Sequence, residues 1–460
     1  MRITALALFL LLAGCIGPRP PAPVAATIAP PPAWRTALGP GTPIRADWWQ
    51  GFGDPVLTAL VARALANSPD IGSAAARVEE ARAQARLAQA QRAPSLTGGV
   101  PLTDARSVSA LGVGATNIGS QPLLQASYDF DLFGRLARAE DAARASLLAT
   151  EAAEDTVRLA LAAGVATSYV TLRALDHRLR IARETLVART DALRIARRRA
   201  DTGYTSRLEL RQAESEYRAT EQLVSAAQLA VTRQENALSQ LIGDAPGPIA
   251  RGLPIDRIAQ PPIPDGLPAD LLRRRPDLFQ AEQTLVAADR TLDSQRAAML
   301  PSLGLTGSAG LVLSTALDHP VGVFSLGASI LSPIFDAGRL RAQADAATAR
   351  RDQAAFAYRR TALVAFREVN DSLAGVQRAG EQVVALDRQR AALADALRIA
   401  SNRYRAGYSS YLEQLDAQRG LLSAELSLAQ AQADRLTAYA GLYQAMGGGW
   451  TLADIAATTR

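Results

Sequence analysis

The chain has 460 residues, 48% of them hydrophobic but only 5% aromatic, and a net charge of +6 from 50 basic and 44 acidic side chains. One cysteine and two histidines exclude an intrachain disulfide and leave almost no ligands for metal chemistry, and no phosphate-binding loop or paired nucleophile and base is present, so an enzyme is not expected. The basic residues are all arginine and are interspersed with acids along helix-like segments, a pattern of solvated faces; neither a cofactor nor a nucleic-acid partner is expected.

In chain order, Arg2 and the apolar run Ala5–Ala13 read as a signal segment, too short to cross a bilayer as a helix. It ends in Leu12-Ala13-Gly14-Cys15, which resembles a bacterial lipobox. Residues 1–14 are then the lipoprotein signal peptide, and Cys15 becomes the first mature residue, with a diacylglycerol thioether on its sulfur and an acyl chain on its amine. More than one acyl chain gives firm anchoring where one would be marginal. Ile16 stands where an aspartate would favour retention in the inner membrane. Segment 15–53 is the tether, and its nine prolines between Pro18 and Pro43 predict an extended, polyproline-like spacer.

The remainder is written twice. Pro69-Asp70-Ile71 and Pro94-Ser95-Leu96 recur as Pro276-Asp277-Leu278 and Pro301-Ser302-Leu303. Gly134-Arg135-Leu136, Gly203-Tyr204, Leu208-Glu209 and Gly243 each recur 204 residues later, at Gly338, Gly407, Leu412 and Gly447. Coincidences at so many fixed offsets indicate an internal duplication. The repeats are expected at 54–243 and 268–447, joined by a linker at 244–267 and followed by a tail at 448–460. Each is expected to hold a helix (54–93 and 268–300), two strands, a very long helix ending near Gly203 or Gly407, and a return helix to about Leu241 or Ala445.

The long helices lack proline, and at 1.5 Å rise per residue each would reach roughly 100 Å. Val165, Leu172, Leu179, Leu186 and Leu193 fall every seven residues, as do Val369, Val376, Val383 and Leu397 with Arg390 as the lapse. Such a stripe predicts coiled-coil packing against partner helices. The strand regions have period two instead. Apolar Leu96, Leu124, Tyr128, Phe130, Leu303, Leu305, Phe324, Leu326 and Ile330 alternate with small polar residues. Four strands with one apolar face suit a membrane barrel or a half-buried sheet, but four cannot close a barrel, since about eight is the bacterial minimum. Strands that cross a membrane here must complete their barrel with other subunits.

The chain also carries Trp48-Trp49 with Phe52, Asp54-Pro55 and Leu57; Asp129-Phe130-Asp131-Leu132-Phe133-Gly134-Arg135; Gly266-Leu267-Pro268 with Arg275-Pro276-Asp277; Pro333-Ile334-Phe335-Asp336-Ala337-Gly338-Arg339; Ala365-Phe366-Arg367-Glu368-Val369; Leu415-Asp416-Ala417-Gln418-Arg419; and Gly447-Gly448-Gly449-Trp450. In this order and spacing it resembles the TolC-like outer-membrane factors, in particular the lipoprotein subgroup (NodT/OprM-like) serving resistance-nodulation-division efflux pumps.

The resemblance implies a mainly α fold with a small β part, built as a homotrimeric channel-tunnel. Long coiled-coil helices would form an α-barrel through the periplasm, and four strands per protomer would complete a shared 12-stranded barrel in the outer membrane of a Gram-negative bacterium. The linker and tail would form an equatorial belt. It further implies a passive duct opened by contact with a periplasmic adaptor (membrane fusion) protein and energised by an inner-membrane pump of that class. The tips contacting the adaptor would hold Gly203, Ser206, Gly407 and Ser410; the serines are natural N-caps. Glu413 and Asp416, one helical turn apart, match an acidic constriction, and Glu209 and Tyr404 match gate positions. The alternatives are a duct for type I protein secretion and a non-conducting, lipid-tethered coiled-coil scaffold.

Overall fold

The computed structural model describes residues 17–36, 42–108, 112 and 114–451. The expected lipid-attachment residue Cys15 and most of the C-terminal tail lie outside them. Eight α-helices are described: α1 Pro55–Asn67, α2 Pro69–Ala90, α3 Arg135–Asp201, α4 Arg207–Leu241, α5 Pro268–Arg274, α6 Pro276–Ala297, α7 Arg339–Arg405 and α8 Tyr411–Ala445. Among the described residues, no helix is long and apolar enough to cross a membrane.

The duplication is met in the helices themselves. Helices α3 and α7 both have 67 residues, and α4 and α8 both have 35. Each long helix has an aspartate at its start, although the two do not occupy equivalent positions of the repeat. Asp131 accepts from Leu136 N and Ala137 N at 3.1 and 2.7 Å, and Asp336 accepts from Gly338 N and Leu340 N at 3.0 and 2.9 Å. A carboxylate there satisfies orphan amides and complements the positive end of the helix dipole.

The expected single helices 54–93 and 268–300 are each broken in two. Ser68 and Arg275, which precede prolines, take extended ψ angles of 127° and 126°. A proline ring clashes with a helical residue before it, so the chain leaves the helix there and restarts with proline at the first position.

The chain divides into two compact units, one of residues 1–28, 76–151 and 280–360, the other of 29–75, 152–279 and 361–460. The first holds the sheet: β1 Ser95–Gly99, β2 Leu102–Val108, β3 Gly114–Ser120, β4 Leu123–Phe130, β5 Ser302–Ser314 and β6 Val321–Leu331. The chain passes through it four times, as expected, but in six segments, because the first two passes are interrupted beside Pro101 and Pro122. Proline cannot donate to a ladder. The first pass reaches Val108 and the second begins at Gly114. All pairings are antiparallel, β1-β4-β5-β6 and β2-β3, with the end of β3 on β5. The β4–β5 pairing joins the two repeats.

The second unit has its own core. Phe52, Leu57, Val61, Val165, Leu172, Leu238 and Val369 are fully buried. In the heptad stripes Val165, Leu172, Leu179, Val369, Val376 and Val383 are buried, and Leu186, Leu193, Arg390 and Leu397 are half-buried. Val383 on α7 packs with Leu428 and Ala431 on α8.

Candidate functional site

Among the described residues, two features are open to a partner or a surrounding: a two-faced sheet and two helical tips. In the sheet, register lines up residue types across strands. Leu96, Ala126, Gly307 and Leu326 are successive partners, as are Gly98, Leu124, Ala309 and Phe324, and Phe130, Leu303 and Ile330. One residue along, Thr97, Gln125, Ser308 and Ser325 line up, as do Ser95, Ser127, Thr306 and Gly327. Successive side chains alternate faces, so one face is apolar and the other small and polar. On the polar face Ser95 Oγ and Ser127 Oγ lie 2.7 Å apart, as do Ser308 Oγ and Ser325 Oγ. The apolar face is largely open among the described residues: Phe324 is 88% exposed and Leu326 79%. The outer edges of β1 and β6 have no partner strand among the described residues.

The two tips, in the second unit, are built alike. Gly203 and Gly407 have φ of 73° and 79°, left-handed conformations that glycine alone adopts without strain. Tyr204 N donates to Arg199 O and Tyr408 N to Arg403 O, both at 2.8 Å, which closes each long helix with a Schellman turn. Ser206 then caps α4, its hydroxyl accepting from Glu209 N at 3.4 Å. Ser410 occupies the same position before α8, but its hydroxyl makes no capping bond, contrary to expectation. There Glu413 N donates to the Ser410 carbonyl at 3.2 Å and has no need of the side chain.

Of the expected gate residues, Tyr404 and Glu209 come together: the phenol of Tyr404 donates to Glu209 Oε1. Arg199 lies 4.8 Å above the Tyr404 ring. Burial, then the bond to Glu209, pushes the Tyr404 phenol up to about 12, so it remains a protonated donor at neutral pH. Beneath it Ala196, Ala213, Tyr411 and Leu415 form an apolar cluster drawn from α3, α4 and α8. Glu413 pairs with Arg403 at 3.4 Å, and Asp416 is exposed on the same helix. The structure thus joins Glu209 to Tyr404 but gives Glu413 a separate partner.

Several residues at the tips were missed in the sequence. Buried Arg189 bonds Gln418 and lies 3.3 Å from Glu216, which also accepts from Arg419 Nε at 2.9 Å. Gln418-Arg419 belongs to a recognised motif, but its partners lie some 200 residues away. Tyr204 and Tyr408 are 75% and 80% exposed, and Leu208 and Leu412 67% and 57%. These apolar side chains recur at the repeat offset of 204, and that recurrence is the signal that could have found them.

The same unit contains two buried polar knots. Asp54 caps α1 through Val56 N (2.8 Å) and Leu57 N (3.3 Å), and also accepts from Leu253 N (2.9 Å) and Tyr169 Oη (2.8 Å). Burial raises the Tyr169 phenol, as does its bond to Asp54. Arg275 meets Asp277 at 2.7 Å, Glu368 at 2.8 Å and the Ala445 carbonyl at 3.0 Å, so two of the sequence motifs and the end of α8 converge on one guanidinium.

Comparison with known proteins gives this architecture its relatives. The family model described as outer membrane efflux protein matches residues 60–244 and 267–448, one match in each repeat. The chain is 35% identical over 409 residues to the cation efflux system protein CusC of Escherichia coli, covering 88% of each chain. It is 34% identical over 441 residues to TtgC, a probable efflux pump outer membrane protein of Pseudomonas putida, covering 94% of this chain and 91% of TtgC. The solved outer-membrane channel OprN superposes with a TM-score of 0.85 at 28% identity, over 95% of this chain and 99% of its own. With its duplicated helices, its two-faced sheet and matches along nearly its whole described length, the chain belongs to the outer membrane efflux protein family.

Proposed function

We propose that the protein is the outer-membrane duct of a tripartite efflux pump of the resistance-nodulation-division type, working as a homotrimer. The observation that carries this reading is the sheet. Its apolar face is solvent-exposed, its polar face is lined by small side chains, and its outer edges are open. In lipid, open edges would leave backbone groups unpaired at several kcal/mol each, so a spanning sheet must close. Three copies of four passes make about twelve strands, within the range of outer-membrane barrels. The apolar face then meets lipid and the polar face lines the passage.

The tips supply the adaptor contact: the turns at Gly203, Ser206, Gly407 and Ser410 present Tyr204, Leu208, Tyr408 and Leu412. The bond from Tyr404 to Glu209 helps hold the aperture shut. Threefold repetition of Glu413 and Asp416 makes carboxylate rings that favour cations. Acyl chains on Cys15 anchor each protomer in the outer membrane. As for cargo, the relatives' names speak of cations in one case and toluene or antibiotics in others. With three methionines and two histidines, this chain offers few ligands to soft metal ions, and small organic molecules suit it better.

The test is conductance of the purified protein in planar bilayers, with complementation of a strain lacking its outer-membrane factor. Stable cation-selective channels and restored drug tolerance are expected. Purification as a water-soluble, non-conducting rod would overturn the reading.

A further inference from the structure

The proline-rich segment after the expected lipid site is not a free spacer. Residues 17–28 lie on the first unit, held by three arginines. Arg296, in the last turn of α6, donates to the carbonyls of Gly17 (2.7 Å) and Pro18 (3.3 Å). Arg351 of α7 donates to those of Pro20 (3.2 Å) and Pro21 (3.0 Å), and Arg359 to that of Ala25. In the other direction Arg19 pairs with Asp289 at 2.6 Å and Asp293 at 2.9 Å on α6. The Arg351 side chain is only 2% exposed and also bonds Asp352 at 2.7 Å.

The chemistry of the two partners matches. Pro18, Pro20, Pro21 and Pro23 have no N–H, so the strap offers mainly acceptors and cannot add to a sheet as an ordinary strand. Arginine has five donors and no acceptor. From Arg351 to Arg359 the helix climbs about 12 Å at 1.5 Å per residue. Over that rise the strap is extended as far as Pro23 and then takes one 3-10 turn, Val24–Ala26, which presents the Ala25 carbonyl to Arg359.

We propose that Arg296, Arg351 and Arg359 form a seat that recognises the proline-rich strap 17–28 and thereby fixes where the lipid-bearing end of the chain meets the sheet. Arg296 is six residues before Ser302, the first residue of β5. Cys15 is two residues before Gly17, at most about 7 Å of extended chain. A seated strap brings the acyl chains to the rim of the sheet; a loose one would let them wander by the length of the tether. The positioning role rests on the lipidation of Cys15 proposed above; the seating itself does not.

The test uses spin labels on introduced cysteines at Ala22 and Gln353 in the full-length protein isolated from membranes, with labelled chains diluted into unlabelled ones. A seated strap gives a narrow distance distribution between the labels. Arg351→Ala with Arg359→Ala should broaden it at least twofold, and Arg351→Lys, with three donors on a point charge, should broaden it less. A broad distribution in the parent, or a width unchanged in the double variant, overturns the seat. If the double variant does not assemble, Arg359→Ala alone is compared with the parent by the same criteria. Labelling of the chain without introduced cysteines reports on Cys15 separately: uptake of label there would remove the lipid reading and the positioning role while leaving the seat to stand or fall on the distances.

Discussion

Two regions of this molecule obey opposite rules. Around Asp54, Phe52 and Leu57 are fully buried and one carboxylate accepts four hydrogen bonds. In the sheet, Phe324, Leu326 and Ile330 are 88%, 79% and 66% exposed. The first region is complete within one chain and is written for water. The second leaves an apolar face and strand edges open, and on the proposed reading lipid meets the face and sister strands the edges. The same polypeptide therefore carries one folding problem solved locally and one deferred to assembly.

The largest expected effects set the two regions against each other. Asp54→Ala should cost about 3–5 kcal/mol, since it removes a helix cap and leaves Tyr169 Oη and Leu253 N buried without their acceptor. The check is the thermal midpoint of the detergent-solubilised protein, and an unchanged midpoint would mean that water reaches the knot. In the sheet, Leu326→Arg should cost about 2–4 kcal/mol per chain if the side chain faces the bilayer centre, and block assembly in membranes. Its neighbour Ser325→Arg, on the polar face, should assemble normally and reduce cation conductance. Equal effects of the two substitutions would abolish the distinction between the faces.

A smaller effect sharpens the description of the knot. A Cβ on Gly252 would lie 2.1 Å from Asp54 Oδ1, so Gly252→Ala should destabilise by about 1–3 kcal/mol through overcrowding. Thermal melting of the variant measures it, and a neutral result would show that the Asp54 carboxylate can shift.

At the tips the effects are smaller still. On the proposed reading, Tyr404→Phe deletes a bond that stabilises the closed state by about 1 kcal/mol and should raise the channel's open probability several-fold. The pH dependence has a definite sign. Because the Tyr404 phenol is pushed up to about 12, its contribution is fully present below the ordinary tyrosine value near 10 and is lost only as pH rises through about 12. Conductance recorded between pH 6 and 9 should show no Tyr404-dependent step. Ser206→Ala should cost roughly 0.5–1 kcal/mol through the lost cap, and Ser410→Ala almost nothing, because only Ser206 uses its hydroxyl. Hydrogen exchange at the two helix starts would separate them.

What was legible in the sequence follows from the range of the interactions involved. The ends of the long helices were readable because glycines 203 and 407 punctuate them locally, and the duplication confirmed each boundary twice. The breaks at Ser68-Pro69 and Arg275-Pro276 were missed because the apolar pattern runs on through both prolines, although the local rule about residues before proline was available. The interruptions at Pro101 and Pro122 were hidden for a similar reason: alternation persists across them. The pairing of Tyr404 with Glu209 was reachable only through family resemblance, since 195 residues separate them and packing alone brings them together. The seat for the proline strap was unreadable, because an isolated arginine on a long helix looks like a solvated charge until its carbonyl partners are in place.

The most direct test of the central claim is native mass spectrometry of the protein released from lipid nanodiscs. Three chains per particle are predicted, with no stable insertion of one chain alone. A single chain that remains inserted and folded in lipid would contradict the account, because its sheet would then have satisfied its own edges.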